Sequence, residues 1–109
     1  MSDAEFLELY QATLAEIESV VEDAINEHDA AIDYESANDM LTLTFITGSV
    51  VVISRQTPLR QLWLAARSGG FHFDWEADLE QWHCKLNGQI LEDMLSEICL
   101  EQGGVRIHF

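Results

Sequence analysis

Apolar residues in this chain change their spacing twice, and that change decides what it can fold into. From residue 3 to about 26, Phe6, Tyr10, Leu14, Ile17, Val21 and Ile25 recur every three or four positions, which is the stripe of an amphipathic helix. Ser2 or Asp3 can cap its start, and Asp3 and Glu5 suit the positive end of the helix dipole. Beyond it the spacing drops to two. Ile32-Asp33-Tyr34-Glu35 alternates, and so does Met40–Phe45, with Leu41, Leu43 and Phe45 on one face and Thr42 and Thr44 on the other. Val50–Arg55 is a β-branched strand, joined to the previous one by the turn Thr47-Gly48-Ser49 as an antiparallel hairpin.

Thr57-Pro58 breaks that strand. Further strands are expected over Arg60–Ala66, over Phe71–Trp75 after Ser68-Gly69-Gly70, and over Glu80–Lys85. The helical spacing then returns. Asn87 can cap a helix over roughly residues 88–102, with Ile90, Leu91, Met94, Leu95, Ile98 and Cys99 as its stripe and Gly103-Gly104 as its end. Residues 105–109 carry no assignment. Short connections force antiparallel pairing. The expected fold class is therefore α+β: a two-layer sandwich with two helices on one face of an antiparallel sheet and the other face open. The 109 residues leave room for a single domain spanning 1–109.

Charge narrows the function. The chain has 20 Asp plus Glu against 5 Lys plus Arg, a formal net of −15, which disfavours nucleic acid and anionic membranes as partners. The longest aliphatic run, Val50–Ile53, is far short of the roughly 20 residues of a membrane span. The acidic start is unlike a secretory signal, and Cys84 and Cys99 form no disulfide framework. The expectation is a cytoplasmic protein with reduced thiols.

Residues 1–39 hold twelve acids and no Lys or Arg; all five bases lie later. Glu18, Glu22, Asp23, Glu27 and Asp29 run along the end of the first helix, and Asp33 and Glu35 begin the next strand. If that strand lies at the sheet edge beside the helix, the seven carboxylates form one ridge. From charge alone the ridge is either a solvated face or a site for cations or a cationic partner. Hard oxygen donors suit iron(III), Mn²⁺, Ca²⁺ or Mg²⁺.

Trp63 is the second signal. Leu62 and Leu64 alternate against Gln61, Trp63 and Ala65. If the leucines face the helices, Trp63 stands on the open face with Gln56 and Arg55 near it, as an interface anchor; the alternative is a core position. Other chemistry is weak. No phosphate loop, helical His pair or calcium loop is present. His72 and His83 fall on neighbouring strands where they could meet, His28 could join the ridge as a nitrogen ligand, Cys84 reads as a half-buried sheet residue and Cys99 as core.

Val52-Ile53-Ser54-Arg55-Gln56-Thr57-Pro58-Leu59-Arg60-Gln61-Leu62-Trp63-Leu64-Ala65 resembles the frataxin family, in its bacterial branch. The resemblance continues through Gly69–Asp74, Trp82 and Leu91–Leu95, and Asp3-Glu5-Phe6 fits the family's start. Ser54 stands where the family has Asn. The resemblance implies an iron-binding modulator of iron–sulfur cluster assembly rather than an enzyme. It implies Fe²⁺ or Fe³⁺ held weakly and exchangeably, a cysteine desulfurase and the cluster scaffold protein as partners, and a monomer when iron is absent. By position, the family's acidic ridge maps onto Glu18, Glu22, Asp23, Glu27, Asp29, Asp33 and Glu35, and its exposed sheet-face residues onto Gln56 and Trp63. The rival expectations are a ferroxidase or iron-storage protein, and an acidic decoy for a basic protein.

Overall fold

Ser2 opens the first helix with a closed capping box. In the computed structural model, which describes residues 1–109, the Glu5 N–H donates to Ser2 Oγ (3.1 Å) and the Ser2 N–H to Glu5 Oε1 (3.3 Å). Helix α1 spans Asp3–His28 and ends at Asp29, whose backbone is left-handed (φ 50°) and whose N–H donates to Ala24 O. It buries Phe6, Tyr10, Leu14, Ile17, Val21 and Ala24. Ala24 closes the stripe in place of the expected Ile25, because a rotation of about 100° per residue carries Ile25 to the margin.

Six strands follow: β1 (Ile32–Ala37), β2 (Met40–Phe45), β3 (Val50–Gln56), β4 (Gln61–Ala66), β5 (Gly69–Glu76) and β6 (Gln81–His83). Their order in the sheet is their order in the chain, every neighbour antiparallel. The β1–β2 turn places Asn38 and Asp39 at φ 55° and 58°, a two-residue hairpin whose twist matches the strands. A short 3₁₀ turn, Thr57–Leu59, built on Pro58, separates β3 from β4. Leu41, Leu43, Val51, Ile53, Leu62 and Leu64 all turn to one face and are buried there under α1 and α2 (Leu91–Gly103). The architecture is the α+β two-layer sandwich that the spacing predicts.

Trp82 is the largest fully buried side chain. Its ring meets Phe6 and Trp75 edge to face (6.0 and 5.2 Å), and its Nε1–H donates to Thr13 Oγ1 (2.8 Å). It ties β6 to α1 and satisfies its own polar atom while doing so. At the other end of the core, the buried Gln102 receives Ser49 Oγ (2.9 Å) and the Arg67 N–H (3.2 Å) on its Oε1, and its backbone carbonyl receives Thr47 Oγ1 (2.8 Å). The last turn of α2 is thereby held against two hairpin turns.

Three expectations need correction. The last strand is Gln81–His83, shorter than Glu80–Lys85, because Ala77–Glu80 forms a turn that leaves Glu80 left-handed (φ 50°). Helix α2 begins at Leu91, not near 88, and Asn87 is not its cap. The Cys84 N–H donates to Gln89 O (2.9 Å), the Gly88 N–H to Cys84 O (2.8 Å), and Ile90 bridges His83, so this segment closes on itself before the helix starts. Asn87 Oδ1 instead takes the Gln89 N–H (3.0 Å) in a local turn. The unassigned tail has no regular structure, yet Ile107 is buried and Val105 and Phe109 pack on the core.

Gly103, in the last turn of α2, is required by packing. A Cβ there would lie 2.3 Å from Phe45 Cδ1 and 2.7 Å from Cγ. Phe45 is itself buried and the contact reaches the base of its ring, so the ring has little freedom to move aside. Gly103→Ala should cost about 1–3 kcal/mol despite alanine's better helix propensity. Equal or raised stability in urea unfolding would contradict this packing.

Candidate metal- and partner-binding surfaces

The alternation of β1 sets the first surface. Ile32 and Tyr34 face the helix layer, and the Tyr34 hydroxyl donates to Glu22 Oε2 (3.2 Å), which draws the second half of α1 against the sheet edge. Desolvation, then the bond to Glu22 and the charges of Glu22 and Glu18, raise the Tyr34 pKa. Glu18 lines a shallow cleft with Ser36, Ala37, Asn38 and Asp39. Glu18 and Glu22 thus overlook β1 from the helix side.

The other five carboxylates sit around this edge rather than in line with those two. Along α1, Asp23 and Glu27 are turned from Glu22 by about 100° and 140° and are exposed. Asp29 is the exposed left-handed cap. Asp33 and Glu35 pair across from Thr44 and Thr42 and point to the open sheet face. The seven form a broad acidic band over the C-terminal half of α1 and over β1, with Asp23 and Glu27 on the side of the helix turned away from β1.

No base neutralises the band. The three ion pairs are Arg55–Asp39 (3.1 Å), Arg60–Asp3 (3.2 Å) and Lys85–Asp74 (3.9 Å), and none includes any of the seven. No three His, Cys, Asp or Glu side chains converge tightly enough to cage a metal. The donors are hard oxygens suited to iron or other hard cations, presented singly to solvent. His28 is exposed at the end of α1 and belongs to no such cluster.

The second surface is the open sheet face. Leu62 and Leu64 are buried under the helices, so Trp63 emerges on the other side, half-buried. Its ring stacks on His72 (4.2 Å between centroids, 10° between planes) and its Nε1–H donates to Gln61 Oε1 (3.0 Å). Gln61 Nε2 donates in turn to Asp74 Oδ1 (3.3 Å). Gln56 pairs with Gln61 and Ser54 with Trp63, so both share this face. The result is a flat aromatic and amide platform held in one orientation.

Arg55 does not join it. Its cross-strand partner is Leu62, which puts it on the helix side with Val51 and Ile53. There, at the rim, it bonds Asp39 Oδ2 and Thr57 Oγ1. The expectation that Arg55 lies near Trp63 fails because adjacent strand residues point to opposite faces. His72 and His83 share the open face on adjacent strands, yet His72 stacks on Trp63 while His83 pairs across from Asp74. Cys84 and Cys99 are both buried, and burial pushes the Cys99 thiol up to about 12, which makes it a packing residue. Sequence reasoning missed His72, Gln61 and Asp74 as members of the platform. The short Arg67-Ser68 turn, which sets Trp63 opposite His72, was the signal that could have found them.

Comparison with known proteins agrees with this architecture. The frataxin-like domain model matches residues 1–105. The chain is 46% identical, over all of its length and 96% of the relative's, to the iron-sulfur cluster assembly protein CyaY of Pseudomonas fluorescens Pf-5. It is 40% identical, with the same coverage, to the protein of that name from Azotobacter vinelandii. The structure of frataxin from Psychromonas ingrahamii superposes with a TM-score of 0.81 at 30% identity, over 99% of this chain and 97% of that one. Trimeric frataxin from Saccharomyces cerevisiae, complexed with ferrous iron, gives 0.75 at 27% identity over 89% and 87%. With its helix–sheet–helix order, its acidic α1–β1 edge and its half-buried Trp63 on the open face, the chain belongs to the frataxin family.

Proposed function

We propose that this protein modulates iron–sulfur cluster assembly, docking the acidic α1–β1 edge on a basic surface of a cysteine desulfurase and binding Fe²⁺ or Fe³⁺ there weakly and exchangeably. The observation that carries this reading is the unpaired state of all seven carboxylates in a chain of net charge −15. Its relatives named as iron-sulfur cluster assembly proteins, and the ferrous complex of the yeast frataxin, support it. A band of exposed, like-signed charge speeds encounter with an oppositely charged partner and is sensitive to salt. Separated carboxylates hold hydrated ions loosely, as cargo rather than as a resident cofactor. The Trp63–His72 platform presents an aromatic contact for the cluster scaffold protein. The protein acts by binding and turns over no substrate of its own.

A desulfurase activity assay tests the reading, run with and without this protein, with and without iron, and at two salt concentrations. The expected result is a change in rate on adding the protein that is enhanced by iron and shrinks at high salt. A rate unaffected under every condition would refute it. Iron oxidation faster than in a carboxylate-matched buffer would favour a ferroxidase instead.

A further inference from the structure

α1 and the start of α2 flank a groove of about 440 Å³ where the β5–β6 turn closes over them, on the helix face that carries Asp23 and Glu27 further along. Ile17, Val20, Leu79 and Phe109 supply its apolar lining. Glu16, Glu80 and Glu92 stand around it, and no Lys or Arg lines it. None of these carboxylates takes part in an ion pair, and none belongs to the α1–β1 band. Leu79 exposes 66% of its surface at the lip, an uncompensated apolar contact point.

An apolar floor inside a negative rim selects its occupant by charge. It repels anions, and it disfavours a second copy of this chain, which carries the same −15. It accepts an apolar side chain whose neighbours are cationic, because the side chain leaves water while the flanking ammonium or guanidinium groups meet the rim. We propose that this groove is a second docking site, for a peptide segment of a basic partner in which a bulky apolar side chain is flanked by Lys or Arg. The apolar group seats among Ile17, Val20 and Leu79, and the cations face Glu16, Glu80 and Glu92. The site lies on the α2 flank of α1, and it stands whether or not the β1 edge binds a desulfurase.

The test is an amide NMR titration of the full chain with a 12-residue Lys/Leu peptide whose leucines share one helical face. The control is the same peptide with every Leu changed to Ser, at equal charge. The expected shifts cluster at residues 13–20, 79–81, 92 and 109, with the Leu peptide binding at least fivefold more tightly than the Ser peptide. Joint Glu16→Lys, Glu80→Lys and Glu92→Lys reversal should weaken the Leu peptide at least tenfold. The same charge change at Glu18, Glu22 and Asp33 should weaken it less than threefold. Leu79→Ser, at an exposed turn, should remove most of the preference for Leu over Ser and carries the test if the triple variant misfolds. Equal binding of the two peptides, equal loss from the two triple reversals, or shifts centred on residues 22–35 would overturn the proposal. Movement of the groove amides on concentrating the protein alone would assign the groove to a second copy and overturn it as well.

Discussion

Trp82→Ala is expected to lower the unfolding free energy by about 3–5 kcal/mol, a large share of what holds a domain folded, given totals of about 5–15 kcal/mol. The cost has two parts. The indole fills the space between Phe6, Trp75 and the helix layer with 1% of its surface exposed, so its loss opens a cavity that α1 can close only by moving. Its Nε1–H also joins β6, the shortest strand, to Thr13 on α1 (2.8 Å). Trp82→Phe separates these parts. It keeps most of the packing and should cost about half as much, since Thr13 Oγ1 retains its own bond to Leu9 O (2.8 Å). Urea unfolding of both variants checks the order. An alanine variant within about 1 kcal/mol of the parent would show that the β6 edge contributes little to the core.

Joint replacement of Glu18, Glu22 and Asp23 by Lys is expected to weaken binding to a cysteine desulfurase by roughly 20- to 1,000-fold at physiological salt, on the basis of about 0.3–0.7 kcal/mol for each of about six units of charge changed. The loss should lie mainly in the association rate and should shrink as salt rises, because the Debye length falls from about 8 Å at physiological strength to about 3 Å at 1 M. The fold should survive. Glu22 accepts only the exposed bond from Tyr34, Asp23 faces solvent, and none of the three takes part in an ion pair. The change in stability should stay within about 1 kcal/mol. Undiminished binding by a correctly folded variant would remove the acidic band from the interface.

The parts of this account that could be read from the sequence are those that depend on period alone. The α1 stripe, the alternation that buries Leu62 and Leu64, and the resulting exposure of Trp63 all follow from side-chain direction along one element. What depends on contacts between elements was less legible. Asn87 has the chemistry of a helix cap, but the bonds from Cys84 to Gln89 and from Gly88 to Cys84 use the segment for a closed turn first. Residues 105–109 do alternate, Val105, Ile107 and Phe109 against Arg106 and His108, but the segment pairs with no strand and packs as an irregular strap, so the spacing alone gave it no element. The ridge was legible as a composition and not as a shape. Its charges all fall within residues 18–35, but the rotation after Glu22 carries Asp23 and Glu27 away from β1 and the pleat turns Asp33 and Glu35 to the open face, so they form a broad band and no single row. Arg55 shows the same error in miniature: next to Gln56 in sequence, it lies on the opposite face of the sheet.

The spread of these charges matters for function. A single row of carboxylates would favour a defined chelate, whereas a band offers many weak, overlapping positions to a mobile cation and a broad field to a basic protein. The most direct test is an anaerobic amide NMR titration with Fe²⁺. The perturbed amides should cluster within residues 18–35, with progressive shifts, no saturable tight phase and competition from Mn²⁺. Perturbations centred instead on Trp63 and His72, or spread evenly over the other acidic residues of the chain, would contradict the assignment of iron to the α1–β1 edge.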